Sequence, residues 1–544
     1  MTNNRQNQSV SGLVMAEMSN NIVGFGKLAV DFDIKTAQPL RTLSYIGKSR
    51  SETQTNHQVL RVFPAAYQPD DTFAGHFEFG LKYEEIHLEF LSRLFGKLDP
   101  QGLEAWIGDE PTGQYARRAG FLYEWLTAKQ LAVPDRPVCN YVDAIPADQY
   151  LTRAEAQRNR RWRMQDNLPG TAAFCPLVRL TRDLQAASAF DTQAALDRLD
   201  VEFGTDVLMR SASWLTLKES QASFLIEREA DKSDRIKRFA HVIAEHSGRI
   251  QNPLDLRSLE TLQQGILGDN ALRQGRRRSP IFVGQETMHQ NIVHYVAPRY
   301  EDAPAMLQGL QTFEEATRNA SPLIRAAAIA FAFIYIHPMR DGNGRIHRFL
   351  INDTLQRDKA IPVGVILPVS ATITHSTRER ADYDRVLEAF SKPFMDRYST
   401  AYRFGDQYIA EDGTPTNFYF DAYEDASHAW RFPDLTQHAI YTAALVNKTI
   451  TREMANEARI LVRFDHATSR LKDLVEMPNQ DAGRIIRSIK DNHWQVSNKL
   501  SGEYPFLQEE AMQLRAVEAI QSAFEDREAV EIADDDPSSA PAPR

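Results

Sequence analysis

The stretch HPMRDGNGRIHRFL, His337 to Leu350, sets His337, a carboxylate, two glycines around an asparagine, and Arg345 and Arg348 close together. An imidazole can take or give a proton near neutral pH. Gly342-Asn343-Gly344 can adopt backbone angles closed to other residues and turn successive N–H groups inward. RIHRFLINDTL then resumes helical spacing, so the loop feeds a helix N-terminus, whose free N–H groups and dipole favour an anion. Arg345 and Arg348 lie three apart, on one face of that first turn. Asp341, beside such a nest, makes sense as a Mg2+ ligand. Together these residues describe a cradle for a metal-bound polyphosphate with a proton acceptor at its edge.

Several elements must position that cradle. Pro338 disfavours helical geometry at His337, so a helix arriving from the N-terminal side should end there. The run AAAIAFAFIYI, Ala326 to Ile336, falls short of the roughly 20 residues that span a bilayer and reads as a buried core helix. Ser321-Pro322 is a good start for it, with a hydroxyl at the N-cap and proline in the first turn. Upstream, LTLKESQASFLIEREADKSDRIKRFAHVIAEH is a long helical pattern with one interruption, and QGRRRSPIFVGQETMHQNIVHYVAP suggests a hairpin. The expected fold class is mainly α: a helical bundle core with a small β-hairpin. The expected divisions are a flexible stretch 1–40, an α-rich N-terminal domain with some strand at 41–200, a core at 205–395, a C-terminal helical region at 396–525, and a disordered acidic, Pro/Ser-rich tail at 526–544.

At 544 residues the chain exceeds one hydrophobic core. Its formal charge of −10 argues against general nucleic-acid binding. Two cysteines, Cys139 and Cys175, lack metal or disulfide spacing and point to a reducing, cytoplasmic setting. The N-terminal residues show no secretory pattern, and no membrane association is expected. SYIGKS, Ser44 to Ser49, ends like a P-loop but has Thr42 where the first glycine belongs. RNRRWR, Arg158 to Arg163, is basic around Trp162 and reads as helical exposure or intramolecular pairing.

The 337–348 stretch resembles the signature of the Fic family, H-P-F-x-D/E-G-N-G-R-x-x-R, departing from it at Met339 in place of phenylalanine. That resemblance implies a helical core transferring AMP from ATP to a hydroxyl side chain of a protein, with release of pyrophosphate and self-modification expected. In it His337 is the general base and Asp341 the ligand of Mg2+. Asn343, with the backbone at Gly342 and Gly344, would hold the phosphates, and Arg345 and Arg348 would neutralise their outer charge. Gly344, where a kinase-like branch has lysine, favours AMP transfer. Met339 is expected to fill aromatic-sized space in the core, and His347, at a variable place, reads as an ordinary histidine.

Class II members of that family carry an inhibitory helix with the pattern S/T-x-x-x-E-G/N. Ser223 and Glu227 fit it near 215–230, while Arg228 departs from its last place. Glu227 is thus expected to pair with Arg348 and restrain the enzyme; the alternative is an ordinary helix glutamate. Ile281, Phe282, Val283 and Gly284 lie where the family has a flap that aligns the target by backbone pairing. The arginines 276–278 before it read as solvated turn residues. Tyr383 resembles an aromatic near the nucleotide, with helix packing as its alternative. Removal of AMP at the same pocket, or a regulatory binding protein with an inactive core, are the competing functions. The C-terminal helices are a docking or homodimer candidate.

Overall fold

The computed structural model describes residues 21–525 except 56–57, 137, 228–232, 270 and 287–290. The chain opens with β1 (Ile22–Val23) and α1 (Gly24–Asp31), then β2 (Thr42–Gly47), β3 (Ser51–Gln54) and β4 (Val59–Pro64). Helices α2 (Phe73–Tyr83), α3 (Leu88–Lys97), α4 (Pro100–Asp109) and α5 (Gln114–Thr127) follow. Short strands β5 (Val142–Asp143), β6 (Gln157–Asn159) and β7 (Met164–Asp166) come next. The helical stretch continues through α6 (Arg182–Ser188), α7 (Thr192–Phe203), α8 (Thr205–Ile226), α9 (Ser233–His246) and α10 (Leu256–Leu267). A hairpin, β8 (Phe282–Glu286) and β9 (Asn291–Val296), precedes α11 (Ala303–Ala316), α12 (Pro322–Ile336), α13 (Asn343–Arg357), α14 (Val369–Thr374) and α15 (Thr377–Tyr398). A second hairpin, β10 (Tyr402–Ile409) and β11 (Pro415–Phe420), leads to α16 (Tyr423–Arg431) and α17 (Thr436–Lys448). The last helices are α18 (Ala455–Leu474), α19 (Asn479–Asp491), α20 (Asn498–Glu503) and α21 (Glu510–Glu525). The fold is mainly α, with small sheets. Among the described residues no helix is long and apolar enough to cross a membrane.

Two compact units result. The first joins the chain up to Thr192 with Thr216–Lys448; the second joins Gln193–Leu215 with the chain from Thr449. The expected boundary near 200–205 falls inside the stretch that the second unit takes. In that unit α18 packs on α19 and α21 around Leu471, Ile485, Ile486, Ile489 and Ile520.

In the first unit the N-terminal sheet has the order β1-β2-β4-β3, with β2 and β4 parallel from Thr42 opposite Val59. Ser44 to Gly47 lie within β2, so SYIGKS is strand rather than a loop feeding a helix. Residues 21–40 are more structured than the expected flexible stretch. Phe25 and Leu28 of α1 sit in the core with Phe77, Phe90 and Trp106. Trp162 is fully buried, and Arg161 pairs with Glu124 (3.0 Å) and Asp135 (3.1 Å), so the basic RNRRWR stretch is used within the molecule.

The core segment is built on α12, whose apolar side chains leave no solvated face; it packs against α11, α13 and α17. Its one charged residue, Arg325, is buried against Asp358 (2.6 Å) and Glu314 (3.2 Å). Helix α13 is different. It is rich in polar residues, yet every residue from Arg345 to Gln356 is buried. Loop backbone takes up two of these residues: Asn352 brackets Leu367 from both ends of its amide, and Gln356 donates to Val365 O (2.8 Å). The hairpin β10–β11, within the region expected to be helical, is a correction. Its strands carry Tyr402, Phe404, Phe418 and Phe420, aromatics suited to a pleated, half-buried surface.

Candidate active site

The signature loop joins the C-terminus of α12 to the N-terminus of α13. Helix α12 stops at Ile336 because Pro338 forbids its continuation, and His337 caps it in the left-handed region at φ 50°, ψ 55°. That conformation costs most residues ~1–2 kcal/mol, though histidine enters it more readily than bulky residues. His337 is half-buried, with Nδ1 3.3 Å from Ile334 O. A carbonyl can only accept, so Nδ1 carries the proton and Nε2 is left as the acceptor. Burial, then the nearby Arg277 guanidinium, push this imidazole down to about 4, so it is neutral at pH 7.

Met339 is buried, as its place in the core requires. Asn343 clamps the loop across it: Asn343 Oδ1 accepts from Met339 N (3.0 Å) and Nδ2 donates to Met339 O (2.8 Å). The structure therefore puts the Asn343 side chain on the loop itself. Gly342 takes φ 80° at the N-cap of α13, a bend that disfavours any side chain. Gln263 of α10 holds the loop from outside, donating to Asp341 O (2.9 Å) and accepting from Gly275 N (2.6 Å). Asp341 remains partly exposed, with Oδ1 accepting from Gly342 N (2.6 Å) and lying 3.6 Å from Arg345 Nη2.

The anion side of the site holds a carboxylate of the chain's own. Glu227, just past the end of α8, places Oε1 2.6 Å from Arg348 Nη2 and Oε2 2.8 Å from Arg345 Nε. Arg348 also donates from Nε to Ser223 Oγ (2.7 Å) and from Nη2 to Ser223 O (3.2 Å). A Cβ at Gly344 would run into Glu227 Oε1, so glycine there leaves the carboxylate room to lie on the first turn of α13. Tyr383 is buried, the positive charge of Arg348 acts on its hydroxyl, and burial raises its pKa. Arg228, the departing residue of the inhibitory pattern, lies outside the described residues. His347 points away from the loop into the core, Nδ1 2.8 Å from Ala330 O, and burial pushes it down to about 3.

Ile281 leads into the hairpin, accepting from Ala297 N (3.1 Å), while Phe282, Val283 and Gly284 lie on β8. The Phe282 ring packs on Phe404 (5.4 Å) and Phe418 (4.8 Å), so the second hairpin backs the first. Asp412, in the β10–β11 turn, accepts from Arg278 N (2.8 Å) and Ser279 Oγ (3.0 Å).

Sequence reasoning missed four contributors. Gln263 and Asp412 sit on a helix and a turn without any motif. Arg380 donates to Ile226 O (3.2 Å), gripping the end of α8. Arg277 is the largest correction: expected as a solvated turn arginine, it is fully buried. Only its place in the hairpin's approach, near two other arginines, could have drawn notice.

Residues 253–355 match the Fic/DOC family model. Protein adenylyltransferase fic-1 of Caenorhabditis briggsae is 36% identical over 95 residues, which is 17% of this chain and 17% of that protein. The chain thus spans under a fifth of that curated relative's length. Among solved structures, a Fic family protein from Desulfovibrio desulfuricans is similar over 60% of this chain and 94% of its own, at 16% identity and a TM-score of 0.37. A Fic domain-containing signaling protein from Bacteroides thetaiotaomicron is similar over 51% of this chain and 97% of its own, at 17% identity and a TM-score of 0.30.

Proposed function

We propose that this chain, which carries a Fic domain at residues 253–355, is a protein adenylyltransferase that transfers AMP from ATP to a hydroxyl side chain and is restrained by its own Glu227. The observation that carries the reading is the Glu227 carboxylate bound by Arg345 and Arg348 on the first turn of α13. A helix N-terminus flanked by two guanidiniums is an anion site, and here a carboxylate stands where a phosphate of the nucleotide would go.

The reaction needs a base, a held nucleotide and charge neutralisation. His337 Nε2, neutral and unprotonated, accepts the proton of the incoming hydroxyl. The hydroxyl oxygen bonds the α-phosphorus, the bond from that phosphorus to the bridging oxygen breaks, and pyrophosphate leaves. Positioning and fixed charge supply most of such a rate. The N–H groups at Gly342–Arg345 and the two arginines hold the phosphates while the Asn343 clamp keeps the loop in shape. Among the described residues no cluster of three or more His, Cys, Asp or Glu forms a metal cage. One exposed carboxylate, Asp341, beside a phosphate nest is nevertheless what Mg2+ uses when phosphates and water complete its shell. Bound there, Mg2+ would neutralise phosphate charge.

The test is direct. Glu227→Gly protein incubated with ATP labelled in the α-phosphate, alone and with cell lysate, should gain label on protein well above wild type. Adding His337→Ala should abolish it, and mass spectrometry should find AMP on Ser, Thr or Tyr. No added label in Glu227→Gly relative to wild type would end the reading of Glu227 as a brake. Label loss from a pre-modified protein, without gain, would favour AMP removal at the same pocket.

A further inference from the structure

Arg277 is fully buried, and among the described residues no carboxylate lies at bonding distance from it. Its guanidinium donates from Nε to His337 O (2.6 Å), from Nη2 to Pro298 O (2.7 Å) and Ile336 O (3.3 Å), and from Nη1 to Ser279 O (3.2 Å). Its own N–H donates to Pro338 O (3.0 Å), and Arg276 bridges Met339. Three consecutive carbonyls, those of Ile336, His337 and Pro338, are therefore held by this one residue. They are the carbonyls that the end of α12 and the Pro338 bend leave without helical partners. Placing a full positive charge against them in a dry setting is expensive unless the cation is needed there.

We infer that Arg277 is a positioning residue for the transfer reaction: by binding the main-chain oxygens on both sides of His337 it fixes the left-handed bend that aims the imidazole. The inference rests on the proposed AMP transfer. The electrostatics agree with the geometry. A helix C-terminus normally favours imidazolium, because its unpaired carbonyls carry negative charge. Arg277 occupies those carbonyls and adds a positive charge of its own, so His337 meets no net attraction for a proton and stays a base. Arg277 is the charged side chain that acts on His337; Ile334 O is the other polar group that does. Around Arg277 stand Tyr295, Tyr423, Glu301 and Asp412. Asp412 is tied to Arg278 N and Ser279 Oγ instead, which keeps the turn in place without neutralising Arg277.

The experiment uses the full chain carrying Glu227→Gly, so that transfer is measurable, and compares Arg277→Gln, Arg277→Lys and Arg278→Gln. Arg278 is exposed, and its side chain is outside the carbonyl network. Arg277→Gln should lower kcat about 10- to 100-fold while KM for ATP stays within about twofold. In histidine-labelled protein the His337 imidazole, assigned by its loss in His337→Ala, should titrate higher than in the parent, while burial keeps it below the ordinary histidine value. Arg277→Lys keeps the charge but cannot reach oxygens on both sides, so it should keep the low titration and lose the rate. Arg278→Gln should change neither. A folded Arg277→Gln protein with parental kcat, or with an unmoved imidazole titration, overturns the inference. If Arg277→Gln does not fold, Arg277→Lys decides: parental kcat overturns the inference, and lost kcat at unchanged KM supports it. The titration needs no turnover. A shifted imidazole in a protein that never transfers AMP would uphold the link between Arg277 and His337 while the proposed function fails.

Discussion

At the N-terminus of α13 two buried guanidiniums, Arg345 and Arg348, face the carboxylate of Glu227; at the C-terminus of α12 one buried guanidinium, Arg277, donates its hydrogen bonds to main-chain carbonyls. Both ends flank the same loop. Glu227 is 21% exposed and stands at the end of its helix, so its charge can be exchanged for that of another anion. The carbonyls around Arg277 belong to the backbone and cannot leave. In the function proposed above, the anion side is the side that switches and the base side the side that stays as it is: a nucleotide would displace Glu227 at the one and find the other ready.

Breaking the fixed side should have the largest effect. His337→Ala removes the imidazole at the loop's edge, and transfer should fall by about 100- to 10,000-fold, read as label per protein with ATP binding retained. Relieving the switched side comes next. Glu227→Gly should raise transfer by about tenfold or more, since the arginines then meet phosphate instead of carboxylate. The same change leaves two buried guanidiniums short of a partner. Its apo form should therefore lose about 1–3 kcal/mol of stability, seen as a lower Tm that Mg-ATP restores.

A finer contrast uses Gly344. Alanine there would push on Glu227 Oε1. Gly344→Ala should raise transfer modestly in the wild-type chain and leave it unchanged in Glu227→Gly, which a double-mutant comparison reads directly. An equal gain in both backgrounds would mean that the glycine acts on the nucleotide, not on the carboxylate.

The smallest effect concerns pH. Burial and Arg277 hold His337 at about 4, so its basic form is present above that value and is lost as pH falls through it. Transfer by the Glu227→Gly protein should thus be nearly flat from about pH 6 to 8 and decline below about pH 5. A half-maximal rate near pH 6.5 would show an imidazole in ordinary surroundings.

How much of this was legible beforehand follows from the range of the forces involved. The end of α12 at His337, the bend at Gly342, the start of α13 and the facing of Arg345 and Arg348 are local consequences of proline, glycine and helical spacing, and could be read in order along the chain. Ser223 and Glu227 were legible only through the resemblance to the family's inhibitory pattern, since serine and glutamate four apart are common on any helix. The role of Arg277 was not, because all but one of its side-chain acceptors lie 21 or about 60 residues away and all are backbone atoms, which carry no residue type to recognise. The hairpin β10–β11 was open to a closer reading: Tyr402 and Phe404 alternate, Phe418 and Phe420 alternate, and Asp412-Gly413 stands between them.

Residue types and spacing alone thus determined the chemistry on offer, a proton acceptor, an anion nest and two cations, and the family resemblance added a carboxylate to reach them. Tertiary structure decided which of these are held and which can move. Burial inverts the reading of polar residues, since a charge removed from water must find partners wherever the fold provides them. For Arg345 and Arg348 the fold provides a carboxylate, and for Arg277 it provides the end of a helix.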